Sequence, residues 1–188
     1  MPGCARPEFV HAAVLALLLG ACSGQGSETR FEISHLESHW AGGRIDIDCG
    51  QKLQLSAQAR NALEHGVPLT IEVEVILRDL ATRTRIDEVT SRYELRYLPL
   101  SEHYRISGTQ PHDVANFPRL RHALAKLSRL ELSMSVGTLP GGEYEVLARS
   151  RLVHDKMPPP MRLPALFDPD WNHASAWMSS ALTIGPET

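Results

Sequence analysis

Cysteine is scarce: of three in 188 residues, only Cys49 lies beyond position 22. One thiol cannot staple a domain internally, which excludes a disulfide-built scaffold. No apolar run reaches the ~20 residues that cross a bilayer as a helix. Charge of one sign is not in excess either: the net charge is −3, so there is no global case for nucleic acid as a partner. G-x-S-x-G, S-x-x-K and C-x-x-C are all missing, and with them the familiar nucleophile and redox signatures. Gly24-x-Gly26 precedes no strand–helix unit that could cradle a phosphate. Internal repeats and a second domain boundary are also lacking.

What is present is a globular composition, 43% hydrophobic and 22% charged, long enough for one domain with a sizeable core. Charge is unevenly spread. Arg78 to Arg129 holds ten Lys/Arg against six Asp/Glu, whereas Cys22 to Leu77 holds four against eight. The simplest reading is a solvated, Arg-rich sheet face; a docking patch is the alternative.

Residues 1–21 read as a signal peptide. Val10 to Ala21 is a short apolar run broken by His11, preceded by a weak n-region in which Arg6 opposes Glu8. Leu19-Gly20-Ala21-Cys22 then resembles the lipobox of bacterial lipoproteins. That resemblance implies cleavage before Cys22, a diacylglyceryl group on its thiol and an acylated amino terminus, together a stable membrane anchor. An ordinary secretory peptide is the alternative. Ser23, in place of Asp, favours sorting to the outer membrane. Residues 22–29 form a Gly/Ser-rich lipidated tether, and residues 30–186 remain for the domain.

Within it the period is mostly two. Leu69, Ile71, Val73, Val75 and Leu77 alternate with polar neighbours, as do Tyr93, Leu95 and Tyr97. Both sets are odd-numbered, so antiparallel pairing with the apolar faces together places Glu72 and Glu74 among Arg92 and Arg96 on the outer face. Phe31–Trp40 and Arg44–Leu55 read as a hairpin about Ala41-Gly42-Gly43. Ile45, Ile47 and Cys49 alternate with Arg44, Asp46 and Asp48, which makes Cys49 a small core residue. Ser56 to His65 reads as a helix with Ser56 as N-cap, Gly66 at C′ and Pro68 beyond. Gln110 to Asn116 reads as a loop. A second helix starts near Pro118, with Phe117, Leu120, Leu124 and Leu127 on one face. Leu130–Val136, Tyr144–His154 and Ala176–Ile184 read as strands, the second stopped by Pro158-Pro159-Pro160. The expected fold is mainly β: a single antiparallel sandwich, immunoglobulin-like in shape, with two short helices.

Four blocks occur in order: Gly66-Val67-Pro68-Leu69; Arg92-Tyr93 with Leu100-Ser101-x-x-Tyr104; Phe117-Pro118-Arg119-Leu120-x-x-Ala123-Leu124; and Tyr144 with Arg149-x-Arg151-Leu152 and Asp155 before prolines. Together they resemble an exported proteobacterial family, domain of unknown function 4390, over nearly all of the mature chain. Leu98-Pro99 and the proline-rich Met157–Met161 stretch depart from its usual pattern. The resemblance implies no activity. Its members are often encoded beside a membrane sensor kinase, which implies an accessory role in envelope sensing.

His35-x-Glu37-x-His39 is the metal candidate, since residues two apart on a strand share a face. An exposed polar face explains it as well, no fourth ligand can be named, and no cofactor is expected. Asp168-Pro169-Asp170-Trp171-Asn172 alternates oxygen ligands but lacks the Gly and Glu of a calcium loop, so it reads as a turn or cap. Ser101 and His103 would project ~7 Å apart from one strand face, too far for a nucleophile–base bond. Tyr104 reads as a strand-corner anchor through its hydroxyl. Tyr97, Tyr104, Trp171 and Trp177 are candidates for a pocket or partner surface. The favoured reading is a lipid-anchored, non-catalytic binding module on the periplasmic side, held to the membrane through Cys22 and engaging an envelope protein. A metal-binding protein or hydrolase using His35, Glu37 and His39, and a carrier of a small apolar ligand, are the alternatives.

Overall fold

The computed structural model describes residues 31–108 and 114–185. The segments read from the sequence as signal peptide and tether, Cys22, and most of the stretch read as a Gln110–Asn116 loop lie outside the described residues. The elements run β1 (Phe31–Trp40), β2 (Arg44–Leu53), α1 (Ala57–Glu64), β3 (Leu69–Asp79), β4 (Arg85–Leu98), β5 (His103–Ser107), β6 (Ala115–Phe117), α2 (Leu120–Leu127), β7 (Arg129–Ser135), β8 (Gly142–Val153), α3 (Pro159–Phe167), a 3-10 turn (Pro169–Trp171) and β9 (Met178–Ile184). They form two antiparallel sheets, one ordered β1-β2-β7 and the other β6-β5-β4-β3-β8-β9. The mainly β sandwich expected from the periodicity is what the chain builds.

The first hairpin turns through Gly42 and Gly43, both at positive φ, as a two-residue loop matched to strand twist requires. The β3–β4 register follows the apolar sets: Leu69 faces Leu95 and Ile71 faces Tyr93. Leu69, Ile71, Val73, Val75 and Leu77 are all fully buried. At about 1.5–3 kcal/mol for each fully buried side chain, they outweigh the few tenths contributed by any outer cross-strand pair. The core therefore sets the register.

β1 carries one irregularity. Ile33 faces Gln51 and His35 faces Gly50, so Ser34 is an extra residue in a bulge. A Cβ on Gly50 would stand 2.9 Å from the Cβ of His35, so the close approach there needs glycine. The bulge also changes the inward parity: Phe31 and Ile33 point into the core before it, Leu36 after it.

Three boundaries differ from the sequence pattern. β4 begins at Arg85, eight residues before Tyr93, where the apolar alternation starts. Ala115–Phe117 is a short strand on β5, with Phe117 opposite Tyr104, so Phe117 is not on the helix face. The Pro118 ring lacks an N–H to continue the ladder, and α2 starts only after Arg119. α3 begins within the three prolines, and its first residue, Pro159, occupies a position where an amide would go unpaired anyway.

The helices gather at one end. α1 links the end of β2 to the start of β3. Its cap, Ser56, accepts from the Ala59 amide at 3.0 Å, donates from Oγ to the Asp170 carbonyl at 2.7 Å, and donates from its amide to His173 Nε2 at 2.9 Å. His173 is buried with its ring edge-on to Phe31, centroids 5.3 Å apart. The first residue of β1 and the 3-10 turn are thereby locked to the same end.

Candidate functional site

β3 is central in its sheet, so its even-numbered face is flanked by β4 and β8. Glu72 stands opposite Arg92 on one side and Arg151 on the other. Its carboxylate accepts from Arg92 Nε at 2.7 Å and from Arg151 Nε at 2.7 Å. The Glu72 side chain is 1% exposed, while those of Arg92 and Arg151 are 54% and 46% exposed. Burial pushes the carboxyl upward, but Arg151 and then Arg92 outweigh it and hold it below the ordinary carboxylate range.

The pattern repeats along the sheet. Glu74 accepts from Arg149 at 2.7 Å, and the Arg149 guanidinium lies 4.5 Å above the Trp177 ring, a cation–π contact. Glu145 accepts from both Arg78 and Arg83. Its burial is likewise outweighed, first by the Arg78 hydrogen bond, so its carboxyl is also held low. Arg96 sits on Glu94 at 2.8 Å, with Lys156 3.6 Å from the same carboxylate.

Carboxylates thus form an inner layer and guanidiniums an outer one. Each arginine uses part of its donor fork on the carboxylate beneath and keeps further N–H groups for an outside acceptor. Their stems cover the sheet, which is why β3 is buried on both faces. A shallow hollow of about 480 Å³ lies among Glu72, Glu74, Glu88, Thr90, Arg92 and Arg151. Arg151 also borders a cleft of about 370 Å³ with Leu152, Val153, His154, Asp155 and Arg162. Arg92 bridges toward it through Asp155 at 3.7 Å. Braced, planar, bidentate donors of this kind suit carboxylate or phosphate acceptors.

Of the residues singled out by the sequence, His35, Glu37 and His39 do share one exposed face of β1. Their ring Nε2 atoms lie 3.6 and 4.0 Å from the Glu37 carboxylate, an ion-pair spacing, and among the described residues no group of three His, Cys, Asp or Glu has metal-site geometry. His103 Nδ1 bonds the Ser101 carbonyl within its own turn. Tyr104 packs against Tyr97 with centroids 5.0 Å apart. The strand-corner bond assigned to Tyr104 belongs instead to Tyr144, whose hydroxyl donates to the Pro140 carbonyl at 2.7 Å. Trp171 is 3% exposed and packs in the core, so it is not a surface residue; Trp177 is on the arginine face. Asp168 caps the 3-10 turn by accepting from the Asp170 amide at 2.9 Å. Cys49 is fully buried, and burial first, then Asp48, pushes its thiol up to about 11. It is a core residue and not a thiolate nucleophile at neutral pH. Cys22 lies outside the described residues.

Sequence reasoning found Glu72, Glu74 and Arg92 but not Arg149, Arg151 or Glu145. The matching parity of Arg149 and Arg151 was a visible signal; the partner strand of β8 was not.

Among the described residues no helix is long and apolar enough to cross a membrane. A family model described as Domain of unknown function (DUF4390) matches residues 28–180. No curated protein matches. A crystal structure of the chicken interferon gamma receptor alpha chain is similar at 14% identity and a TM-score of 0.38, covering 80% of this chain. The match spans 50% of that receptor chain.

Proposed function

The chain belongs to the DUF4390 family, and from that premise we propose that it is an exported, lipid-anchored binding module without catalytic chemistry of its own. Cys22 carries the lipid, the tether joins it to the domain, and the arginine face engages an acidic surface of an envelope protein. The observation that supports this most is the layering on β3, β4 and β8. Buried Glu72 holds Arg92 and Arg151 with nearly half or more of each side chain exposed, so the donors are pre-positioned and little ordering is left for binding. Electrostatic engagement of this kind weakens as salt screens it.

Chemical crosslinking in intact cells, followed by recovery of the native chain from membranes, tests the reading. The expected product contains an envelope protein with an acidic surface, and its yield falls when crosslinking is done at raised ionic strength. Recovery of lipoprotein-processing factors alone would contradict it.

A further inference from the structure

We infer that the end of the sandwich where the chain enters β1 rests on the bilayer surface, with Leu100, Leu163 and Phe167 as apolar tips in the lipid interface. The inference rests on the proposed anchor at Cys22. Leu100 is 105% exposed, Phe167 84% and Leu163 68%, the three highest values among the exposed large hydrophobics of the described residues. All three fall at one end. Leu100 tops the turn after β4, whose final residues pair with the start of β5. That end of β4 lies beside the start of β3, since Leu95 faces Leu69. Leu163 and Phe167 are four residues apart in α3, hence on one side of it. α3 leads into the 3-10 turn that Ser56 and His173 fasten beside Phe31.

Phe31 is also where the tether arrives. Cys22 to residue 30 is nine residues, a reach of at most ~30 Å when fully extended. A lipid on Cys22 would therefore keep this end, and not the β3–β4 turn at the other, close to the membrane. Tethering makes the contact intramolecular, so tips too weak to bind a membrane alone are held there by effective concentration. Charges at this end carry both signs, the α2 cations Arg121 and Lys126 together with Arg60 and Arg162 among Glu64, Glu102 and Asp168. The contact itself is made by the three apolar tips, and on uncharged lipid salt should leave it in place. With the strands standing on the membrane in this way, the arginine face looks sideways, open to a partner in the same leaflet's vicinity.

The test uses the native chain, extracted from membranes and reconstituted in phosphatidylcholine vesicles, with an environment-sensitive dye on Leu100→Cys, Leu163→Cys or Phe167→Cys, and on Ile86→Cys and Glu37→Cys as comparisons. Buried Cys49 does not compete for the dye. Emission at 100, 163 and 167 should shift blue and be quenched by lipid-borne quencher, unchanged in about 0.5 M salt, while 86 and 37 stay water-like. Equal shifts at all five positions, or none at 100, 163 and 167, would overturn the contact; so would a loss of the shift when the protein is diluted at constant lipid, which would mark a second copy as the occupant. The mass of the amino-terminal peptide reads the anchor separately. Lipid on Cys22 with water-like dyes overturns the contact alone; bare Cys22, with dyes that shift on added vesicles in a Cys22→Ser background free of that second thiol, overturns the anchor alone.

Discussion

Arg92 and Arg151 sit on strands that do not pair with each other, yet each places its Nε 2.7 Å from one oxygen of the same buried carboxylate, that of Glu72. Glu72 is the keystone of the outer face, because without its charge the two guanidiniums would repel across β3.

Glu72→Gln is therefore expected to lower stability by about 2 kcal/mol at pH 7, less than a fully buried pair would lose because both arginines reach water. The pH dependence follows from the lowered carboxyl. The native state binds the Glu72 proton more weakly than the unfolded chain, so the stabilisation is complete above the ordinary Glu value of ~4.3 and fades as pH falls through the lower native value. Denaturant melts from pH 7 to pH 3 should show the acid-side slope of the parent reduced in the variant.

Ser56 holds α1, the 3-10 turn and His173 together. Ser56→Ala removes the cap on Ala59 and the bond to Asp170 and should cost about 1–2 kcal/mol. Hydrogen exchange of the Ala59 amide should quicken with it, while amides of β3 respond only to the global loss.

Tyr144→Phe should cost about 1 kcal/mol by leaving the Pro140 carbonyl without the hydroxyl. Tyr104→Phe, which keeps the ring packed on Tyr97, should stay within about 0.5 kcal/mol of the parent. Paired chemical denaturation curves separate the two tyrosines.

Cys49, with its thiol raised to about 11, should resist an alkylating reagent in the folded protein at pH 8 and react at once in denaturant. Mass spectrometry of the Cys49 peptide reads both states.

Much of this arrangement was legible beforehand because it depends on parity. Alternation over Leu69–Leu77 and Tyr93–Tyr97 determines which side chains are inside, and keeping the two odd-numbered sets on one face puts Glu72 and Glu74 on the same outer face as Arg92 and Arg96; the register that pairs Glu72 with Arg92 and leaves Arg96 to Glu94 comes from the fold. The Gly42-Gly43 turn and the Ser56 cap were likewise local chemistry. What escaped was non-local. That β8 lies on the far side of β3 depends on the whole topology, so Arg149 and Arg151 could not be joined to Glu74 and Glu72 from spacing alone. Tyr104 and Tyr144 carry the same hydroxyl, and only a fold brings the Pro140 carbonyl to one of them. Trp171 reads as a surface aromatic until the end of the sandwich folds over it. Phe117 fitted a helical face and a strand equally well, and pairing with Tyr104 decided it.

The most direct test of the arginine face as a partner surface is photo-crosslinking in living cells from a probe at Thr90, between Glu88 and Arg92 on that face, compared with a probe at Glu37 on the opposite sheet. The Thr90 probe should give a discrete envelope-protein adduct that Glu37 does not. That adduct should be lost when Glu72→Gln, Arg92→Gln and Arg151→Gln are combined, a set that removes both outward guanidiniums without stranding a buried carboxylate. The same adducts from both faces, or an adduct at Thr90 indifferent to the triple change, would contradict a partner held by these arginines.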